Sequence, residues 1–257
     1  MGTISLNGPW LFCADELNIG VEHAWQSPEF ETQNREQSMQ VEVPHNWNLI
    51  PEMDRYEGVA WYFKEIPISD LGEIEGKECF LQFYGVNYDA TAWLNGNKLG
   101  EHEGGFLPFR FAIPKKFLQP ENLIAVRVEN LRRPDRIPAM NFDWHNWGGI
   151  HRSVAILVQD SNRVNYAHVE TIALAKARAI LRVKYNVVGI ISFTWQVIGE
   201  DGSLIEASGQ EQPAGPKGDF QVEIQNPQAW DLGQPHLYTL VLMPEMSREE
   251  YRSRFGI

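Results

Sequence analysis

Apolar and polar residues alternate with a period of two along most of this chain, and helical periodicity is nearly absent. Ile124, Val126 and Val128 point one way while Arg127 and Glu129 point the other. The pattern recurs at Leu181, Val183, Tyr185 and Val187 against Arg182, Lys184 and Asn186. It returns at Phe220, Val222 and Ile224 against Gln221, Glu223 and Gln225. Successive side chains of a strand face opposite ways, so this alternation predicts antiparallel sheets with one face on a core and one in water. Nine Trp, eight Tyr and thirteen Phe supply the bulk that packs sheet faces. Turn chemistry agrees. Asn95-Gly96 separates Thr91-Ala92-Trp93 from Lys98-Leu99, and Asp201-Gly202 separates Gln196-Val197-Ile198 from Leu204-Ile205. Both dipeptides suit the positive φ angles of a tight hairpin. Helix is expected only as short turns, for instance near Pro114 to Leu118.

At 257 residues the chain suits two modest domains. A polar stretch, Gln159-Asp160-Ser161-Asn162-Arg163, follows the strand-like run from Ser153 to Val158 and marks the expected boundary. Residues 1–160 have room for about eight strands, enough for a jelly roll, and residues 161–257 for about six or seven, the size of an immunoglobulin-like sandwich. The expected fold class is therefore all-β: a jelly-roll β-sandwich followed by an immunoglobulin-like β-sandwich.

A formal net charge of −12 argues against nucleic acid and against an anionic membrane surface as partner, since both want a Lys/Arg excess. No apolar run approaches the roughly 18 residues of a membrane span; the longest, 187–193 and 154–158, are strand-sized. The start, MGTISLNGPW, lacks the basic head and apolar stretch of a secretory signal. Cys13 and Cys79 lie in apolar, strand-like surroundings and read as buried free thiols rather than a disulfide framework. A P-loop, a G-x-G-x-x-G and a G-x-S-x-G are all absent. No histidines pair as H-x-x-x-H, and His145 and His151 flank two glycines at a spacing that is not a metal ligand pattern. Neither metal nor cofactor is expected.

Three stretches are denser in polar and aromatic residues than a scaffold requires: Val43-Pro44-His45-Asn46-Trp47-Asn48, Glu101 to Phe109, and Phe142-Asp143-Trp144-His145-Asn146-Trp147-Gly148-Gly149-Ile150-His151-Arg152. For the first two, capping of a sandwich core is the simpler reading.

In this order these stretches, with others, resemble the amino-terminal part of glycoside hydrolase family 2, which holds β-galactosidases, β-glucuronidases and β-mannosidases. Leu6-Asn7-Gly8-Pro9-Trp10 is similar to that family's L-x-G-x-W strand, and Gly58-Val59-Ala60-Trp61-Tyr62 to its G-x-x-W-Y strand. Phe83 to Gly96, Gly100 to Phe109, and Asn122 to Val128 follow in register. Gly148-Gly149-Ile150-His151-Arg152 resembles its G-G-I-x-R turn. Later, Trp230 to Tyr238 resembles the W-x-x-x-x-P-x-L-Y signature that closes its immunoglobulin-like domain, and Phe255-Gly256-Ile257 the strand leading into its (β/α)8 barrel.

The resemblance implies a retaining exo-β-glycosidase in which this chain is the non-catalytic amino-terminal portion. Such enzymes place two carboxylates about 5 Å apart, at the ends of barrel strands. The family's acid/base glutamate follows an asparagine, and no Asn-Glu pair occurs here. No catalytic residue is therefore expected in this chain. By the same resemblance, the 142–147 loop reaches over the barrel mouth, with Asp143 touching the sugar and Trp144, His145 and Trp147 at the pocket rim. The structural reading stands beside it: Asp143 capping a turn, and Trp147 with Gly148-Gly149 packing the end of the jelly roll. The implied partners are a carbohydrate β-glycoside, the (β/α)8 barrel, and a second copy in a homo-oligomer. A free-standing carbohydrate-binding protein and a purely structural two-domain protein are the competing classes.

Overall fold

The computed structural model describes residues 2–30, 38–189, 192–211, 215–245, 247 and 249–257. Two residues of the apolar run 187–193, 190 and 191, lie outside the described residues. Among those described, the chain is strand and loop with a few short 3-10 turns and one α-helical turn at 28–30, and it divides into two compact units, Met1–Val158 and Gln159–Ile257. Among the described residues, no helix is long and apolar enough to cross a membrane.

The first unit contains β1 (Gly2–Ser5), β2 (Gly8–Ala14), β3 (Met39–Val43), β4 (Val59–Pro67), β5 (Lys77–Phe83), β6 (Asp89–Leu94), β7 (Asn97–Glu103), β8 (Phe109–Ile113), β9 (Glu121–Glu129) and β10 (Val154–Asp160). These form a six-stranded sheet, β3-β2-β4-β9-β6-β7, and a four-stranded sheet, β1-β10-β5-β8. Among the described residues these are ten strands where about eight are expected, and one of the additions arises because a single stretch of sequence serves both sheets. β1 pairs with β10 and β2 with β3 and β4, the chain changing sheets at Leu6-Asn7. Asn7 secures the crossing: its Oδ1 accepts from the Val154 N–H at 3.0 Å, and its Nδ2 donates to Ser153 Oγ at 3.1 Å.

The jelly-roll core lies between these sheets, where Trp10, Phe12, Tyr62, Ile124 and Val126 meet Leu81, Phe83, Val154 and Ile156. The outer face of the six-stranded sheet departs from expectation. Residues 15–30 fold back over it, and Val59, Trp61, Phe63, Trp93, Leu123 and Ala125 form a second apolar cluster under Trp25 and Phe30. Trp25 stacks on Phe30 with ring centroids 4.6 Å apart. Buried Asp15 fastens the segment, accepting from Trp61 Nε1 at 3.0 Å and from the Ile19 and Gly20 N–H groups at 2.9 Å each. Arg127 and Glu129 do lie opposite Ile124, Val126 and Val128, but neither faces open water: Arg127 donates to Asn18 Oδ1 of this covering at 2.9 Å, and Glu129 is buried among arginines.

The second unit contains β11 (Arg163–Ala175), β12 (Arg178–Val188), β13 (Phe193–Ile198), β14 (Leu204–Glu211), β15 (Lys217–Gln225), β16 (Tyr238–Pro244) and β17 (Tyr251–Phe255). A three-stranded sheet, β11-β12-β15, faces a four-stranded one, β14-β13-β16-β17. Leu181, Val183 and Val187 of β12, with Val222 and Ile224 of β15, pack on Phe193, Trp195, Val197, Leu240 and Leu242. The alternation in β12 and β15 thus places the core as the sequence predicts.

The two hairpin signals behave differently. Asn95 and Gly96 take φ of 50° and 77°, the two positive angles of a type I′ turn. At the second, only Gly202 is positive, at 83°. There the loop is longer, closed by Gly199 N–H to Ser203 O at 2.8 Å, and Asp201 uses its carboxylate to accept from the Ser203 N–H and hydroxyl. Both cysteines are free; Cys79 is buried, whereas Cys13 is only half-buried.

Candidate functional site

The connection between β9 and β10 carries the 142–152 run across one end of the jelly roll. Two buried asparagines anchor it. Asn130 Nδ2 donates to Asn146 O at 2.8 Å, and Asn146 Nδ2 returns a bond to Asn130 O. Asn87 Nδ2 donates to Asn146 Oδ1 at 3.3 Å and to the Trp147 carbonyl. Buried amides joined in this way fix a loop backbone, because breaking any one leaves a polar group unsatisfied.

Arg132 pins the other half of the loop. Its Nη1 donates to Phe142 O at 3.0 Å and Ala139 O at 3.4 Å, and its Nη2 to Trp144 O. Its Nε donates to Glu57 Oε1 at 2.7 Å, which holds the guanidinium in place. One planar fork thereby gathers three main-chain carbonyls of the loop, of which that of Ala139 also accepts from the Phe142 N–H at 3.2 Å.

Gly148-Gly149-Ile150 is stitched into the fold on both sides. Trp47 N–H donates to Gly148 O at 3.1 Å and His45 N–H to Ile150 O at 2.7 Å. Across from them, Asn87 and Gly149 exchange backbone bonds at 3.0 and 3.2 Å. Gly148 and Gly149 are buried, but Trp147 is not: it is 44% exposed and its ring lies tilted against that of His145, centroids 4.2 Å apart. The two glycines pack as the structural reading expects. Trp147 does not, because its backbone is held while its ring turns outward.

Two clefts result, sharing Trp144, His145 and Asn146 as a common wall. The larger, about 790 Å³, is lined by Leu49, Phe106, Ile137, Pro138, Trp144 and Trp147, with Asn46, Asn87, His145, Asn146 and His151. The smaller, about 390 Å³, holds Asp54, Arg55, Glu57, Arg132 and Asp143 beside Asn48 and the shared wall. All three dense sequence stretches converge here: Asn46 from the first, Phe106 from the second, and 143–151 from the third. Arg152 joins the last two, its Nη1 donating to Phe106 O at 3.1 Å.

Asp143, Trp144 and His145 are all exposed. Among the described residues nothing engages the Asp143 carboxylate, so its acceptors are free for a ligand. Asp143 lies in the polar cleft; Trp144 and His145 touch both. Asn87, Asn130 and Arg132 escaped notice in the sequence. Asn87 lies in a stretch that carries the family resemblance, but its role is to hold a main-chain carbonyl, and Arg132 has no sequence signal at all. No cluster of His, Cys, Asp or Glu that could hold a metal ion occurs among the described residues.

His45 lies beneath the site, its Nδ1 2.9 Å from Tyr62 Oη. Burial pushes its pKa down to about 4. Between there and the unfolded value of about 6.5, only the unfolded chain takes up the proton, so stability falls as pH drops through this window. The ring keeps part of its surface in water, so we expect a loss of about 1–2 kcal/mol. Urea midpoints at pH 7 and 4.5 measure it, and His45→Gln is expected to flatten this dependence. An unchanged pH dependence in that variant contradicts the assignment.

The family model for "Glycosyl hydrolases family 2, sugar binding domain" matches residues 3–160, and that for "Glycosyl hydrolases family 2" matches residues 162–257. A putative beta-glucuronidase of Formosa agariphila is 27% identical over 255 residues, covering 92% of this chain and 28% of its own length. A beta-galactosidase of Thermoanaerobacter pseudethanolicus is 26% identical, covering 92% of this chain and 32% of its own. Among solved structures, a beta-glucuronidase from an uncultured Clostridium sp. superposes over the whole chain with a TM-score of 0.82 at 24% identity, across 44% of its own length. Ruminococcus gnavus beta-glucuronidase in complex with D-glucuronic acid gives 0.81 at 23%. This chain thus spans about a third of the curated relatives it matches and under half of the solved ones.

Proposed function

Since the chain belongs to glycosyl hydrolases family 2, we propose that it is the non-catalytic amino-terminal part of a retaining exo-β-glycosidase acting on β-galactosides or β-glucuronides. Residues 1–160 are then the sugar-binding jelly roll and 161–257 the immunoglobulin-like domain. The catalytic carboxylates belong to a (β/α)8 barrel, and the loop of the jelly roll completes the pocket. The observation that carries this reading is the free Asp143 carboxylate, set at the rim on a backbone that Arg132 and Asn130 hold still. A carboxylate accepts several hydrogen bonds from vicinal sugar hydroxyls, and the faces of Trp144 and His145 suit the apolar side of a pyranose.

On this reading the purified 257-residue chain does not turn over 4-nitrophenyl β-galactoside or β-glucuronide, and measurable hydrolysis overturns it. In the protein that carries the barrel, Asp143→Ala lowers kcat/KM by about 10- to 100-fold, as expected for loss of charge-assisted hydrogen bonds. An unchanged kcat/KM removes Asp143 from the site.

The exposed rings of Trp144 and Trp147 beside a preformed cleft favour one second reading, a free-standing carbohydrate-binding protein. It requires the chain alone to bind a monosaccharide at about millimolar or tighter affinity, with loss on Trp144→Ala. One wall of a pocket supplies fewer contacts than that, so weaker binding is expected.

A further inference from the structure

We propose that Arg132, aimed by Glu57, is the positioning residue for Asp143: its guanidinium fixes the main chain on both sides of Asp143 and so sets where the carboxylate meets the sugar. The proposal rests on the glycosidase reading above and adds to it a residue that acts only through Asp143.

The loop is held in two separate halves. From Asn146 onward, the buried asparagines and the backbone bonds of Gly148 and Gly149 fix it. Asn48 strengthens that half, its Oδ1 accepting from the Gly148 N–H at 2.8 Å. From 137 to 145 the main chain is far less tied down. Among the described residues it makes one backbone bond there, Phe142 N–H to Ala139 O at 3.2 Å. Neither the N–H nor the carboxylate of Asp143 has a partner. Whatever directs Asp143 therefore acts through its neighbours. Arg132 does so on both sides: Nη1 takes the Phe142 carbonyl at 3.0 Å, and Nη2 takes that of Trp144.

The fork must itself be aimed. A guanidinium is planar, so fixing its Nε–H fixes the directions of both terminal nitrogens. Nε donates to Glu57 Oε1 at 2.7 Å, and both side chains are partly buried. Nη1 gives its other N–H to Ala139 O at 3.4 Å. With one donor used at Nε, two at Nη1 and one at Nη2, four of the five donors serve the scaffold. Arg132 is thus built to hold the loop rather than a ligand.

Glu57 draws its own order from the fixed half. Asn48 Nδ2 gathers the turn just before it, lying 3.1 Å from each of the Met53, Asp54 and Tyr56 carbonyls. The same Asn48 holds Gly148, so one amide ties the Glu57 lip to the rigid end of the loop. The ion pair then carries that order to Asp143. Lysine cannot replace the arginine, because one ammonium cannot span carbonyls two residues apart while also meeting Glu57.

The test has a structural arm and a kinetic arm, both built on Arg132→Lys. In the 257-residue chain, amide order parameters of Asp143 and Trp144 should fall from about 0.85 to below about 0.6, with those of Asn146 and Gly148 unchanged. No fall, or an equal fall through Gly148, overturns the proposal. In the protein that carries the barrel, Arg132→Lys should lower kcat/KM for the 4-nitrophenyl β-glycoside it cleaves by about tenfold. Added to Asp143→Ala, it should deepen that variant's loss by less than about twofold, since both changes remove the same contact. Additive losses mean that Arg132 serves the fold at large or touches substrate itself, and they overturn the proposal. So does a silent Arg132→Lys beside a damaging Asp143→Ala; in both cases the glycosidase reading stands. A silent Asp143→Ala instead removes Asp143 from the site and leaves Arg132 nothing to position.

Discussion

Glu129→Ala lowers the stability of the first sandwich by about 3–4 kcal/mol, far more than loss of a surface glutamate. Glu129 ends β9 with almost no exposure. Its carboxylate takes Arg127 Nη2 at 2.8 Å, Arg133 Nη2 at 2.6 Å and Arg136 Nη1 at 3.4 Å. Arg136 is equally buried; it pairs with Asp89 as well and lies over the Tyr88 ring, 5.0 Å from its centroid. Removing the shared carboxylate leaves Arg127 without its anion and Arg136 with only Asp89. Uncompensated charge in a buried site is what makes breaking such a cluster expensive.

The cluster also fixes the start of the loop that carries the clefts, since Arg133 and Arg136 lie between β9 and Ile137-Pro138. Chemical denaturation followed by tryptophan fluorescence checks the magnitude, most tryptophans being in the first unit. A loss under 1 kcal/mol contradicts it. The acid limb gives a second check. Burial alone would push the Glu129 carboxyl up, but the Arg127 hydrogen bond and the charges of Arg127, Arg133 and Arg136 outweigh it and hold the group below the ordinary glutamate range. A depressed carboxyl stabilises above its unfolded pKa, near 4.3, and that contribution is lost as pH falls through the folded value. Glu129→Ala therefore flattens that part of the acid unfolding curve. Asp89 shifts the opposite way, raised by burial against the pull of Arg136, so it does not account for such a loss.

These residues show how far the sequence can be read. Alternation assigned Arg127 and Glu129 to the face opposite Ile124, Val126 and Val128, and that assignment holds. It does not say whether another segment covers that face. Here residues 15–30 cover the sheet, held by Asp15 and Trp25 from a distant part of the chain. A charge in such a place looks like any solvated charge in sequence. The hairpins make the same point at smaller scale. Asn95-Gly96 fixes a turn by itself, whereas Asp201-Gly202 belongs to a longer loop in which the Asp side chain replaces a backbone bond.

The candidate site was legible only in part. Period and composition found dense stretches, and resemblance alone singled out Asp143, Trp144 and His145. That 43–48, 101–109 and 141–152 meet at one place follows from sheet register, which spacing along the chain does not encode. Arg132, Asn87 and Asn130 were invisible for another reason: their partners are largely main-chain carbonyls, and every residue has one.

Gly148→Ala is expected to cost about 3 kcal/mol or more and to disrupt both clefts, although it adds a single methyl group. A Cβ at this position would sit 2.0 Å from Trp47 Cζ2, 2.3 Å from Trp47 Cε2 and 2.6 Å from Asn130 Nδ2. None of these can retreat cheaply. Trp47 is fully buried, with its indole N–H on Tyr56 O at 3.2 Å, and Asn130 is bound to Asn146 and to the Gly58 N–H. The glycine cannot slide away either, since its N–H donates to Asn48 Oδ1 at 2.8 Å and its carbonyl accepts from Trp47. Relief must come from moving the backbone at 146–148, which carries the Trp147 ring and the Asn146 amide. Gly233→Ala is the matched control: a Cβ there meets nothing within 4 Å, and the change should stay within about 0.5 kcal/mol. Urea midpoints of the two variants measure the contrast, and indole NMR shifts report whether Trp147 has moved. A Gly148→Ala chain within 1 kcal/mol of the parent, with the Trp147 signal unchanged, would mean that the tight seat of the glycine is not what sets the loop. If the signal moves while the second sandwich keeps its own unfolding transition, the geometry of the candidate site depends on the space left by one absent methyl group.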